Sequence, residues 1–490
     1  MSKISYDALP EVFLSDTKTA DKIYRLKKQG RVRNIVGKLY TSNMVDSIDN
    51  IASRRLWEIV GLLFPGAIIA DRTAIDLKPT ENGELFIISS KVRPISFGKF
   101  TVYPRKGHPT LEQDMPFMGN MFLMSEARKY LENMRNTRLG KAKVPRYLSS
   151  GEMEEKLDAY IRHYGEDAIN NLRDQMRKIA KLLSLENEFN EFVHIVSGLL
   201  RTKEVKFNTP VAIARSLGDS FDPNRVVLFA NLYNELSSRA PIFRKTESNM
   251  SEILCFYEAY FSNYIEGTTF TVEDAVGIIF EHKLPEKRPD DAHDITGTYD
   301  IAASAAEMKK TPKSFDEFVD LLKARHKQMM AGRLNKSPGV FKEKANQAGS
   351  TLFVKPDLVL GTLKEGFNFY QKLDTAFAKA AFMMFLVAET HPFNDGNGRI
   401  SRLMMNVELV SRDEQRIIIP TVYRENYLDA LRGLSHNKTA EAYVKMMDFA
   451  QRYTAMIDWS DLRAATDMLR ATNAFSEDKN LILRLPKPEN

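Results

Sequence analysis

Apolar residues recur along this chain at spacings that change twice. Ala20, Ile23 and Leu26 form one stripe at helical spacing, and Val45, Ile48, Ile51 and Leu56 form another, so residues 15–60 predict short helices. Between Pro65 and Tyr103 the apolar positions gather into β-branched and aromatic clusters, Leu85-Phe86-Ile87-Ile88 and Phe100-Thr101-Val102-Tyr103. These predict strands, with Asn82-Gly83 as a hairpin turn. From Leu111 to Arg201 the helical period returns, with amphipathic helices expected over 153–163 and 167–183, where Ile169, Leu172, Met176, Ile179 and Leu183 share a face. Turn residues at Asn208-Thr209-Pro210 and Leu217-Gly218 mark a boundary. Helical patterns then run from Pro223 almost to Met468, interrupted by a short strand expected at Ile417-Ile418-Ile419. The tail after Ala471, with Pro486 and Pro488, reads as frayed.

One junction between two apolar helices carries chemistry. The segment from Leu373 to Thr390 is apolar on nearly every side and must stop near His391, because Pro392 disfavours the α conformation of the residue before it. A second apolar helix, Ile400 to Val410, begins a few residues later. Between them lies Asn394-Asp395-Gly396-Asn397-Gly398, whose alternating glycines let successive amides point into one concavity at a helix N-terminus, an arrangement that binds anions. Arg399 and Arg402, three residues apart on one helix face, add two forked donors suited to phosphate. Asp395 supplies the hard carboxylate oxygen that a magnesium ion bridging phosphates requires. His391 has no Ser or Cys nucleophile beside it, so its role is that of a general base toward a hydroxyl brought by a second substrate.

The order His391-Pro392-Phe393-Asn394-Asp395-Gly396-Asn397-Gly398-Arg399-Ile400-Ser401-Arg402 resembles the signature of the Fic family, His-x-Phe-x-Asp/Glu-Gly-Asn-Gly-Arg-x-x-Arg, at every specified position. Average residue frequencies give a chance match on the order of one in ten million. The resemblance implies a mainly α, helical Fic-fold domain using ATP with Mg2+. In it His391 is the base, Asp395 binds the metal, Gly396, Asn397, Gly398, Arg399 and Arg402 surround the phosphates, and Phe393 anchors the loop. Doc-like relatives, which phosphorylate, replace the second glycine of the motif with a bulkier residue. Gly398 is retained here, so the resemblance implies transfer of AMP to a Ser, Thr or Tyr hydroxyl of a protein substrate. Residues 349–356, including Ser350, Thr351, Leu352 and Phe353, resemble the family's β-hairpin flap that pairs with the target peptide; a surface loop is the other reading of these residues. Ser262-Asn263-Tyr264-Ile265-Glu266-Gly267 fits the family's inhibitory pattern, Ser/Thr-x-x-x-Glu-Gly/Asn, in which Glu266 would pair with Arg402 and occupy phosphate space. A helix residue before a Gly cap is the alternative. Thr421-Val422-Tyr423-Arg424-Glu425-Asn426 matches the same short pattern, but follows the expected strand where the family starts an ordinary helix. The same family features leave open transfer of another nucleotide, such as UMP, and removal of AMP from a target.

Composition adds limits. The chain has 490 residues, 43% hydrophobic and 27% charged, as ordinary folded proteins do, which excludes disorder and fibrous repeats. Cys255 is its single cysteine, so internal disulfides and a Cys-based zinc site are excluded and a reducing compartment fits. The polar N-terminus lacks a secretory pattern, and the apolar stretch 376–388 contains Lys379 and falls short of the roughly 20 residues that cross a bilayer. The expected location is cytoplasmic, with no membrane partner.

A net charge of +6 is mild, but seven basic residues and no acidic one lie between Lys22 and Lys38, forming either a solvated surface or a phosphate-contacting patch. Short helices followed by strands suggest a winged helix. Gly30-Arg31-Val32-Arg33-Asn34, Lys38-Leu39-Tyr40 and Asp71-Arg72-Thr73-Ala74-Ile75 resemble the winged-helix modules of AbiEi-type antitoxin regulators, which implies a DNA or protein partner. The expected organisation is an α+β winged-helix-like module over 1–110, a helical segment over 111–205, the Fic domain over 206–470 and a tail over 471–490. Tyr427 is a candidate near the nucleobase. A homo-oligomer is compatible with all of this.

Overall fold

The computed structural model describes residues 9–136, 140–283, 285, 288–349 and 351–486. The chain divides into two units, one ending at Gly218 and the other starting at Asp219.

The first unit opens with β1 (Val12–Leu14), α1 (Ala20–Lys28), β2 (Arg33–Val36) and β3 (Leu39–Thr41), whose strands form an antiparallel sheet in the order β1-β3-β2. Ile23 and Leu26 of α1 pack with Phe13 and Val32, as their spacing requires. Then follow α2 (Ile48–Arg54), α3 (Leu56–Leu63), β4 (Ile68–Ile69), α4 (Asp71–Asp76), β5 (Glu84–Ile88), β6 (Ile95–Phe97), β7 (Phe100–Arg105), β8 (Met115–Phe117) and β9 (Met121–Leu123). These strands make a six-stranded sheet in the order β6-β7-β5-β4-β9-β8, parallel at β4/β9 and β5/β7.

Several details depart from the sequence pattern. β2 and β3 lie inside the stretch 15–60 expected to be helical, and Ala20 of the first stripe is exposed. Val45 is 92% exposed and precedes α2, because the side chain of Ser47 caps that helix by accepting from the Asn50 amide. Asn82-Gly83 does turn the chain, with Gly83 at φ +75°, but it leads from α4 into β5 rather than joining two strands. β8 and β9 lie in a segment expected to be helical; at three residues each they are too short to show an alternation. The rest of the unit is helical: α5 (Glu126–Asn133), α6 (Ser150–Tyr164), α7 (Glu166–Leu183), α8 (Glu186–Leu199) and α9 (Pro210–Leu217). Ile169, Leu172, Met176 and Leu183 of α7 are buried, while Ile179 at the edge of the stripe is half-buried.

The second unit contains α10 (Pro223–Ser238), α11 (Glu252–Ile265), α12 (Val272–Phe280), α13 (Pro289–Ala302), α14 (Ala305–Met308), α15 (Phe315–Met329), β10 (Gln347–Ala348), β11 (Thr351–Leu352), α16 (Val359–Tyr370), α17 (Ala376–Thr390), α18 (Asn397–Val410), α19 (Arg424–Asn437), α20 (Ala440–Ala455) and α21 (Leu462–Ala471). It is mainly α. α17 runs through its core, packed against α10, α16 and α18. Its Ala, Phe, Met and Leu side chains are good or tolerable helix formers, without an internal Gly or Pro. Lys379 and Ala388 are the only residues of this helix that are not buried.

Ile417, Ile418 and Ile419 are buried as expected of a strand, but they form none. Asn406 of α18 supplies what a neighbouring strand would: its side chain accepts from the Ile417 amide at 2.8 Å and donates to the Ile417 carbonyl at 3.0 Å. The tail expected to be frayed is partly packed up to Pro486, while Pro488 lies outside the described residues. Phe475 lies 5.4 Å from the Phe261 ring and 5.9 Å from that of Tyr260, Ala474 and Leu483 are buried in the same cluster, and Tyr264 of α11 bonds Glu477. Among the described residues no helix is long and apolar enough to cross a membrane.

Candidate active site

α17 ends at His391, which takes a left-handed conformation (φ 52°, ψ 59°) while its amide still donates to the Val387 carbonyl at 3.0 Å. A non-glycine residue holds such a backbone only when its surroundings over-determine it. Here they do. The ring Nδ1 lies 3.2 Å from the Ala388 carbonyl and therefore carries the proton, which leaves Nε2 as the basic nitrogen. Phe353 stacks flat on the imidazole, with centroids 3.7 Å apart and planes at 8°. Burial pushes this imidazole down to about 4, with the Lys342 cation acting in the same direction against the Ala388 carbonyl, Glu266 and Asp395. His391 is therefore a neutral base at pH 7.

The following loop is fixed from within and from α15. Phe393 is fully buried, its amide donates to Asn397 Oδ1 at 2.9 Å, and Asn397 Nδ2 donates back to its carbonyl at 2.9 Å. His326 stacks on Phe393 with centroids 3.6 Å apart. Its Nδ1 accepts from the Gly339 amide and its Nε2 donates to the Asp395 carbonyl, both at 2.9 Å. Gly396 adopts φ +74°, which favours glycine, and a Cβ there would stand 2.8 Å from the Met330 sulfur and oblige that side chain to shift. α18 then begins at Asn397, and its first intrahelical bond runs from the Ile400 amide to the Gly396 carbonyl. The amides of Asn397, Gly398 and Arg399 precede that bond and belong to an N-terminus suited to an anion.

The two arginines of the motif do not form one open fork. Arg399 is buried against Asp294 of α13, Nη1 to Oδ2 at 2.5 Å, and its other nitrogen is 3.7 Å from Asp395. Arg402 donates from Nε to Ser262 Oγ at 3.0 Å, from Nη2 to the Ser262 carbonyl at 2.8 Å and to Glu266 Oε1 at 2.7 Å, and from Nη1 to Tyr427 Oη at 3.2 Å. Tyr427 is thus a buried support for Arg402 rather than an open surface for a base. Glu266 follows the last residue of α11, with Gly267 at φ +96° beyond it. Its carboxylate crowds Gly398 so closely that a Cβ there would collide with Oε1. In the second matching pattern, Glu425 pairs instead with Arg424 on the surface at 2.8 Å.

Asp395 is the most open carboxylate of the loop, at 38% side-chain exposure, with Lys336 Nζ 3.6 Å away. Among the described residues no group of three potential metal ligands exists. A single carboxylate fits a magnesium ion that takes its other ligands from phosphate oxygens and water. The flap region is a hairpin: Gln347 pairs with Leu352 and Ala348 with Thr351, while Ser350 lies outside the described residues. The Leu352 carbonyl accepts from Arg225 Nη2 at 2.5 Å, Arg225 also pairs with Glu389, and Thr351 Oγ1 lies 3.0 Å from His436 Nε2.

Sequence reasoning missed His326, Asp294, Lys342 and Asn346, which hold the motif from other elements; nothing in their local spacing marks them. Burial also lowers the His326 imidazole to about 4. For both histidines the folded value lies below the unfolded one, near 6.5. The unfolded chain therefore takes up protons first. Stability is fully present above pH 6.5 and falls as pH drops toward 4, on the order of 3 kcal/mol per ring. Urea unfolding between pH 7 and 4.5 should show this loss, and His326→Gln should flatten part of the slope.

The Fic/DOC family model matches residues 315–409, which run from α15 through the hairpin and α17 to the end region of α18. A Fido domain-containing protein of Dictyostelium discoideum is 31% identical over 101 residues, covering 20% of this chain and 71% of that protein. A protein adenylyltransferase Fic of Drosophila mojavensis is 25% identical over 239 residues, covering 47% of this chain and 46% of that protein. The chain therefore spans about half the length of the adenylyltransferases it matches. Among solved structures, a Fic domain-containing signalling protein from Bacteroides thetaiotaomicron covers 51% of this chain and 98% of its own, at 17% identity and a TM-score of 0.36. A Fic-1 fragment from C. elegans covers 65% of this chain and 99% of its own, at 15% identity and a TM-score of 0.35.

Proposed function

The chain belongs to the Fic/DOC family, and from that premise we propose that it is a protein adenylyltransferase that moves AMP from ATP to a Ser, Thr or Tyr hydroxyl of a target protein and is restrained by Glu266. One observation carries the reading. The Glu266 carboxylate already occupies the N-terminus of α18, against Gly398 and Arg402, where a phosphate oxygen would sit. A bound carboxylate marks an anion site and blocks it at once.

In the productive state Arg402 and the first amides of α18 hold the polyphosphate. The target hydroxyl oxygen bonds to the α-phosphorus, the bridging bond to the β-phosphate breaks, and pyrophosphate leaves. His391 Nε2 takes the hydroxyl proton, Nδ1 being occupied by the Ala388 carbonyl. Asp395 would hold magnesium, which when bound neutralises phosphate charge. The hairpin presents β11 as an edge for the target peptide, and Gly398 leaves room for the nucleotide in the AMP-transferring orientation. A cytoplasmic location fits these substrates.

The test is incorporation of label from α-labelled ATP with magnesium, into the protein itself and into a bacterial lysate, with other labelled nucleotides in competition. Label entering only from another nucleotide would replace ATP in the reading, and release of AMP from a labelled target would reverse its direction. A second reading concerns the N-terminal module. Arg25, Lys27, Lys28, Arg31 and Lys38 are exposed around α1, which favours a DNA or protein partner for a winged-helix-like region. Salt-dependent binding of the full chain to duplex DNA, lost on reversing these charges, would establish the former.

A further inference from the structure

Lys342 is 3% exposed, and a lysine is almost never that buried without a role for its charge. It lies on the connection between α15 and the hairpin, outside the motif. Its amide donates to the Pro392 carbonyl at 2.8 Å, and its Nζ donates to Asn346 Oδ1 at 2.6 Å. Asn346 in turn donates from Nδ2 to the Phe393 carbonyl at 3.0 Å and accepts on its own carbonyl from the Phe353 amide at 3.2 Å. One short segment therefore grips both residues that follow His391 and also holds the ring that covers it. Nζ keeps donor capacity beyond Asn346, since an ammonium has three hydrogens.

We propose that Lys342, acting with Asn346, is a positioning residue of the transfer reaction: the segment they anchor sets the His391 imidazole between the catalytic loop and Phe353, with the Lys342 ammonium buried in that segment. The inference rests on the adenylyltransferase reading and concerns the base itself, which the family motif names without saying what holds it. The charged groups acting on His391 are Lys342, Glu266 and Asp395; the two carboxylates favour a proton on the ring and Lys342 opposes them. Burial brings the Lys342 ammonium down to about 8, with Arg225 in the same direction, so it is still a cation at pH 7.

The experiment uses the full chain carrying Glu266→Gly, alone and with Lys342→Met, Lys342→Arg or Asn346→Ser. The His391 imidazole is titrated by NMR, and kcat and KM for ATP are measured by label incorporation. Lys342→Met should raise the His391 midpoint by about 1 pH unit and lower kcat about 10-fold with little change in KM for ATP; Lys342→Arg should restore both. Asn346→Ser keeps the charge but releases the grip, so kcat should fall without a comparable titration shift.

A folded Lys342→Met protein with an unmoved His391 midpoint overturns the electrostatic role. If that variant does not fold, Asn346→Ser decides, and an unchanged kcat there overturns the positioning role. Where the titration shifts as expected but no variant, including Glu266→Gly alone, incorporates label, the adenylyltransferase reading fails while the hold on His391 stands.

Discussion

His391→Ala, introduced into the Glu266→Gly chain, is expected to cut AMP incorporation by about a thousandfold, the middle of the range for losing a positioned general base. The argument is geometric. Nδ1 is committed to the Ala388 carbonyl, so Nε2 is the nitrogen able to accept a proton, and burial leaves it unprotonated at neutral pH. The motif contains no other base in the same position: Asp395 is the carboxylate proposed to hold magnesium, and Glu266 has been removed. ATP binding should survive, because the amides of α18 and Arg402 are untouched. Single-turnover incorporation from α-labelled ATP, alongside nucleotide binding by calorimetry, checks both halves. Loss of binding together with loss of transfer would count against the base assignment.

Glu266→Gly alone should raise incorporation by about 10- to 100-fold, the equivalent of the 1.5–3 kcal/mol that a charge-assisted hydrogen bond contributes. Two effects are combined in that rise. The carboxylate occupies the Arg402 nitrogen that would hold a phosphate, and its bulk crowds Gly398. Glu266→Gln separates them, since it keeps the bulk and loses the charge. A rise in the Gln variant close to that of Gly would make charge the restraint, whereas wild-type activity in Gln would make it steric. Equal incorporation in all three chains would remove Glu266 from any inhibitory role.

The parts of this site that the sequence made readable are local. His391 at the end of an apolar helix, Pro392 after it and Gly396 before the next helix each act through their own backbone, so spacing alone located them. Ser262 and Glu266 are singled out by pattern and by the helix before them, and both reach Arg402, whereas Glu425 pairs with Arg424. The supports were not readable. Asp294 reaches Arg399 from α13 and His326 reaches the Asp395 carbonyl from α15, and such pairings depend on how helices pack rather than on any repeat. Arg399 and Arg402 were correctly put on one helix, yet their guanidiniums diverge because different neighbours claim them. In the first unit, β4 pairs with β9 across more than 50 residues in parallel, a partnership that local alternation does not reveal. The buried Ile417-Ile418-Ile419 run mimics a strand because Asn406 satisfies the Ile417 backbone and Thr454 accepts from the Ile418 amide, an arrangement that side chains of two other helices decide.

The enclosure of α17 also orders the unit in time. An amide exchanges its hydrogen with water only when its bond opens, and a helix with almost no solvent-facing side chain opens only when the surrounding core does. His391 hangs from that slowest segment, while the two-residue strands of the hairpin, with Gln347, Ala348 and Leu352 exposed, are held by few bonds and should exchange early. On the proposed reading the base is then the stationary reference of the site, and the motions that would admit a target and release Glu266 take place around it.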